Sequence, residues 1–192
     1  MILEPVVAPR CVDILRPPRS LDARCPENER GGVRYTGVMP VDVAAEVIAN
    51  TPLSPDYNVL ALSAPQIARI TAPGQFVMLK AASGHDPLLR RPFSVFEVLR
   101  SPDGEPAAIS ILNKRAGRST SLLYSARVGQ HIDCLGPLGR SFTLVDPPAE
   151  AWMVAGGVGL APFWTLAESL AARGIQATLF YGARSAPEIF YL

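Results

Sequence analysis

Cysteine is scarce in this sequence: Cys11, Cys25 and Cys134 are the only three in 192 residues. They are too few and too scattered for a disulfide framework, and none forms a C-x-x-C pair of the kind that holds zinc or an iron–sulfur cluster. They read as reduced thiols of a cytoplasmic protein, with Cys134, inside an apolar run, as a small core residue. Net charge is also lacking. Eighteen Lys and Arg face 17 Asp and Glu, and no basic run gives the long-range attraction a general nucleic-acid binder needs. Only 18% of residues are charged and 48% are hydrophobic, which excludes a disordered, solvating chain. The N-terminal MILEP has neither the basic start nor the apolar stretch of a signal peptide. The uncharged run 151–167 is at the short limit for a membrane span, and three glycines and Pro162 interrupt it, so no membrane segment is expected.

Proline and glycine, by contrast, are plentiful, at 19 and 15, and so many turns and caps argue against a plain helical bundle. Residues 1–40 mix six prolines, six arginines and five acids with little apolar periodicity, and read as a loosely ordered extension. From residue 41 the pattern becomes short β-like runs: 43–49, 58–63, 75–81, 93–100, 107–114 and 131–135. Turn chemistry separates them at Asn50-Thr51-Pro52, Pro73-Gly74, Ser101-Pro102-Asp103-Gly104 and Gly136-Pro137-Leu138-Gly139. One helical segment, 119–127, interrupts the series. Six strands with one helix predict a small antiparallel barrel over 41–147, although a β-sandwich would give the same periodicity. Residues 148–192 then read as one βαβ unit, the start of a parallel nucleotide-binding domain. Strand 152–155 leads into Gly156-Gly157-Val158-Gly159. A helix starting at Pro162 follows, with Phe163, Leu166, Ala167 and Leu170 on its apolar face; it stops at Arg173-Gly174 before strand 177–181.

Three motifs can carry chemistry. In Leu88-Leu89-Arg90-Arg91-Pro92-Phe93-Ser94, a strand opens with a cation, an aromatic ring and a hydroxyl. Such a strand suits a flavin: Arg91 can pair a pyrophosphate, Phe93 can pack on the ring, and Ser94 can hydrogen-bond its N5. The same residues read equally as a strand start with one core ring and solvated arginines. Gly117-Arg118-Ser119-Thr120 leads into a helix, an arrangement that suits a phosphate but taken alone better describes an ordinary Ser/Thr cap. The turn Gly156-Gly157-Val158-Gly159 lacks the G-x-G-x-x-G spacing. Three glycines in four residues between strand and helix still favour close approach of a dinucleotide pyrophosphate.

Taken in order, R-P-F-S, G-R-S-T, G-P-L-G and a βαβ unit with G-G-V-G-x-x-P resemble the ferredoxin–NADP reductase superfamily. LLRRPFS with GPLG is most similar to the electron-transfer subunits of dihydroorotate dehydrogenase. The resemblance runs from residue 41 to 192, and Pro73-Gly74-Gln75-Phe76 fits the family's early strand. It implies FAD held by Arg91, Pro92, Phe93 and Ser94, with Ser94 the candidate catalytic group. Leu112, Asn113 and Lys114 would lie along the flavin, Gly117, Ser119 and Thr120 would meet its phosphates, and Gly156, Gly157 and Gly159 would meet NAD(H). The implied activity passes electrons from NADH through FAD towards an FMN-containing catalytic subunit in a heterotetramer serving pyrimidine biosynthesis, with no nucleic-acid or membrane partner.

The family's [2Fe–2S] cluster has no ligands here, because its C-terminal cysteine cluster is missing. Asn113 stands where an aromatic is common, and Ser119 where a glycine is usual. A stand-alone flavin or oxygenase reductase is the alternative enzyme, and an inactive FAD-binding fragment the alternative non-enzyme. Arg184, after the last strand, could meet a 2′-phosphate or be a solvated cation, so NADH and NADPH both stay open.

Overall fold

The computed structural model describes residues 39–82, 84, 86–144 and 150–190. The extension up to residue 38 and the Asp146-Pro147-Pro148 turn lie outside them. The first seven strands are β1 (Val41–Pro52), β2 (Tyr57–Ser63), β3 (Phe76–Lys80), β4 (Arg91–Ser94), β5 (Glu97–Arg100), β6 (Pro106–Lys114) and β7 (His131–Leu138). They form one antiparallel sheet in the order β4-β3-β7-β1-β2-β6-β5. Helices α1 (Pro65–Ala68) and α2 (Arg118–Tyr124) interrupt the series.

The sheet has seven strands rather than six because 93–100 is not one strand. Val95 and Phe96 are both buried, which breaks the two-residue alternation, and the chain turns a corner between them. Val95 N–H donates to Gln75 O beside β3, while Phe96 N–H donates to Ser110 O on β6. These bonds tie the two sheet edges together, and the sheet curls into a barrel. Asn50-Thr51-Pro52 is not a turn either: it ends β1, pairing with Leu60, Val59 and Asn58. Likewise β7 continues through Gly136 and Pro137 to Leu138, and the reversal falls at Gly139. An added Cβ at Gly136 would lie 2.6 Å from Val77, so this glycine serves strand packing. The helix expected at 119–127 starts at Arg118 and ends at Tyr124, and α1 escaped the pattern because four residues span barely one turn.

The second unit has the expected order. Strand β8 (Glu150–Gly156) passes through a 3-10 turn (Gly157–Leu160) into α3 (Ala161–Ala172), and β9 (Gln176–Gly182) returns parallel to β8. Gly174 N–H donates to Ala171 O, and Ile175 N–H to Leu170 O, closing α3 in a Schellman motif. Leu166, Leu170 and Ile175 are buried against Ala151 and Met153. The barrel interior is a separate apolar cluster built on Val47, Leu60, Leu62, Val77, Ile109, Ile111 and Leu123. A third cluster joins the two units. Tyr57, Val59, Phe96 and Leu112 from the barrel meet Ala155, Leu160 and Ala161 from the second unit.

Candidate active site

The R-P-F-S segment is strand β4, paired antiparallel with β3. Arg90, just before it, donates through both terminal nitrogens to Asp42 at 2.9 Å. That bond raises the Arg90 pKa above its usual value. Arg91 is exposed and forms no ion pair among the described residues. One arginine is therefore spent on the fold, and its neighbour is open to an anion. Pro92 is exposed, Phe93 half-buried against the barrel core, and Ser94 half-buried beside the corner that brings β4 to β6.

The three consecutive residues at the end of β6 diverge. Leu112 is buried in the cluster between the units. Asn113 points into the barrel, fully buried, and donates to Asn58 Oδ1 at 2.8 Å and Thr120 O at 3.0 Å. Asn58 in turn donates to Asn50 Oδ1 at 2.7 Å, and Asn50 to the carbonyls of Tyr124 and Ala126 at 3.0 and 2.8 Å. Lys114 points the other way, towards the second unit. Its Nζ donates to Tyr57 Oη at 2.7 Å and lies 3.8 Å from Glu188.

In the G-R-S-T turn, the Thr120 hydroxyl accepts from the N–H groups of Ala116 and Gly117, both at 2.9 Å, and donates to Gly117 O. Thr120 thus shapes the turn with its own hydroxyl. Gly117 and Arg118 are exposed, whereas Ser119 is buried.

Gly156 and Gly157 lie at the carboxyl end of β8, and Gly182 at that of β9. Together with Val158, Ala183 and Arg184 they line a cleft of about 470 Å³ whose far wall is Tyr57, Lys114 and Glu188. Ligands of parallel α/β sheets bind at this end of the strands. Gly157 has φ +53°, and an added Cβ would stand 3.3 Å from Tyr57 Oη, so both backbone and space ask for glycine. Gly159 is exposed outside the cleft lining. Arg184, also exposed, pairs with Glu188 at 3.3 Å.

The structure thus brings Lys114, Gly156 and Gly157 to one cleft and links Asn113 to Thr120, while Arg91 to Ser94 occupy the neighbouring barrel edge. Tyr57, Glu188, Asn50 and Asn58 escaped the sequence reading. Tyr57 and Glu188 meet across 131 positions, which no local pattern reports. Asn58 did leave a signal: it is polar on the inward face of a strand whose next inward residues are Leu60 and Leu62.

A metal cluster does not fit the described residues. No group of three or more His, Cys, Asp or Glu lies together among them. Cys134 is fully buried, and burial pushes its thiol up to about 12. Among the described residues no helix is long and apolar enough to cross a membrane.

Relatives of known name match most of the chain. It is 39% identical over 140 residues to the "dihydroorotate dehydrogenase B (NAD(+)), electron transfer subunit" of Desulforamulus reducens, covering 73% of this chain and 52% of the relative. The protein of the same name from Geobacillus thermodenitrificans is 38% identical over 134 residues, covering 69% and 51%. The chain spans about half the length of the curated relatives it matches. Among solved structures, the ferredoxin reductase of carbazole 1,9a-dioxygenase superposes with a TM-score of 0.68 at 24% identity, covering 79% of this chain and 45% of that one. An NADH-dependent reduced ferredoxin–NADP oxidoreductase gives 0.67 at 24% identity, covering 78% and 52%. No family model matches.

Proposed function

We propose that this chain, which has the ferredoxin-reductase fold and resembles the electron transfer subunits of dihydroorotate dehydrogenase B, binds FAD and NAD(H) and passes electrons from one to the other. The observation that carries the reading is the shared cleft. Lys114, at the end of the strand assigned to the flavin, and Gly157, in the turn assigned to the nicotinamide nucleotide, line the same space. Two cofactors held by these elements would meet there.

The roles follow from the chemistry of each residue. Arg91 is open to pair a flavin pyrophosphate, Phe93 and Pro92 offer apolar surface to the ring, and Ser94 offers a hydroxyl at the closed corner. Gly117, Arg118 and the turn shaped by Thr120 border the phosphates; Ser119, being buried, supports that turn. Leu112 and Asn113 contribute through their backbone, since both side chains are committed inside the protein. Gly156 and Gly157 let a dinucleotide pyrophosphate reach the backbone at the start of α3, and Gly159 keeps the turn open beyond them. Flavin, when bound, supplies hydride acceptance from the nicotinamide and release of the electrons singly.

The resemblance extends the proposal to a cytoplasmic complex with an FMN-containing dihydroorotate dehydrogenase catalytic subunit, a heterotetramer in pyrimidine biosynthesis. The second reading is a stand-alone flavin or oxygenase reductase, which needs no [2Fe–2S] cluster and with which the fold shared with the ferredoxin reductase of carbazole 1,9a-dioxygenase agrees. The absorption spectrum of the purified chain tests both readings. Flavin bands that bleach on anaerobic addition of NADH support the proposal. Absence of bound flavin, after reconstitution with excess FAD, overturns it. Complex formation with a dihydroorotate dehydrogenase catalytic subunit then separates the first reading from the second.

A further inference from the structure

We propose that Asn50 and Asn58 are positioning residues for the diphosphate part of FAD, acting through α2 and the 115–120 turn. The inference rests on the flavin reading above and deepens it. Asn50, Asn58 and Asn113 form a continuous ladder on the inner face of the barrel. Their neighbours on that face are Leu60, Leu62, Ile109 and Ile111, so the strand pattern calls for apolar residues at 58 and 113. Asn50 faces inward only because β1 changes register between Val47 and Ala49, which leaves Ile48 and Ala49 both exposed. Bulges of this kind re-aim a side chain.

The ladder spends every amide hydrogen. Two bonds join the amides to one another, and four go to the carbonyls of Thr120, Leu123, Tyr124 and Ala126, in or just beyond α2. Asn113 Oδ1 is left buried without a partner among the described residues. A network kept for stability alone would close that acceptor or be replaced by apolar side chains. What the ladder does fix is orientation. A seven-residue helix is too short to hold its own place, and α2 carries the turn in which Thr120 organises Ala116 and Gly117 beside exposed Arg118. The ladder's bonds run to α2 and the residues just beyond it and not to β4, which carries the flavin ring site and pairs with β3.

Affinity for FAD and for riboflavin, measured on the full chain, separates the two sites. Asn50→Ala removes both bonds to Tyr124 and Ala126 from the far end of the ladder, and Asn50→Asp removes the donors while keeping the shape. Both variants should raise the FAD Kd about tenfold and leave the riboflavin Kd within about twofold. Equal weakening of both ligands, or no weakening of either, overturns the positioning role, as does recovery of FAD affinity in Asn50→Asp alone. A parent chain that binds riboflavin and FAD equally would also overturn it. A parent chain that binds neither removes the flavin reading first, and this inference with it.

Discussion

Arg90 spends both terminal nitrogens on Asp42, whereas Arg91, one residue later, stays open. The sequence shows two identical side chains and no reason to choose between them; only the pairing of β1 with β7 and β7 with β3 brings Asp42 within reach of one. Arg91→Ala should therefore weaken FAD binding by about 2 kcal/mol, roughly thirtyfold in Kd. Arg90→Ala should leave FAD affinity nearly unchanged and cost less than about 1 kcal/mol of stability, because its pair with Asp42 is partly exposed. Titration of flavin fluorescence and chemical denaturation check the two. Cys134 was legible as a core thiol, and its burial has a pH signature. Its folded pKa is raised to about 12, above the ordinary thiol value, so the folded chain keeps the proton while the unfolded chain has lost it. Stability from this group is whole below about pH 8.5 and falls as the pH rises towards 12, by at most about 1.4 kcal/mol per unit. Cys134→Ala should flatten that alkaline decline in denaturation measured between pH 8.5 and 11.

Elements were legible where one physical rule governed them. The glycine turn between β8 and α3, the stop at Gly174 and the inward face of α3 all follow from local pattern, and the structure places each where the pattern does. The β4–β5 corner and the end of β1 were not legible, because a tertiary contact overrode the local signal. Val95 and Phe96 are both buried by closure of the barrel, and Asn50, a good turn residue by chemistry, is held in a strand with its amide on the carbonyls of Tyr124, at the end of α2, and Ala126, just beyond it. Gly157 offers the sharpest test at this scale. Its positive φ and its distance from Tyr57 both oppose a side chain. Gly157→Val should abolish reduction of the flavin by NADH while FAD remains bound, since the barrel edge that carries Arg91 lies elsewhere. Anaerobic stopped-flow absorbance distinguishes this from flavin loss, which would place the nucleotide site wrongly.

At the scale of the molecule, the cleft exists only because the two units are held against each other. Its walls belong to both: Tyr57 and Lys114 come from the barrel, Gly156, Gly157 and Glu188 from the second unit. Composition and periodicity carried no information on how the two units meet, since the meeting residues are far apart in the chain. The joint is apolar, with Tyr57, Val59, Phe96 and Leu112 facing Ala155, Leu160 and Ala161. Rings reinforce it: Phe96 and Trp164 sit 5.4 Å apart by centroid, and Tyr57 and Phe190 5.1 Å. Aromatic pairs at this spacing add about 0.5–1.5 kcal/mol beyond the area they bury. Among the described residues the second unit presents a two-stranded sheet, α3 and two 3-10 turns, and part of its apolar surface packs on the barrel. Heating should consequently unfold both units in one cooperative transition. Trp164→Ala removes the ring that α3 sets against Phe96, and should cost about 3 kcal/mol, the usual range for truncating a large aromatic at an apolar contact. Because that loss falls on the joint, scanning calorimetry of the variant should resolve two transitions, the earlier one from the second unit. A single transition displaced as a whole would mean that the remaining contacts, Tyr57 with Phe190 and Lys114 with Glu188, suffice to couple the two halves.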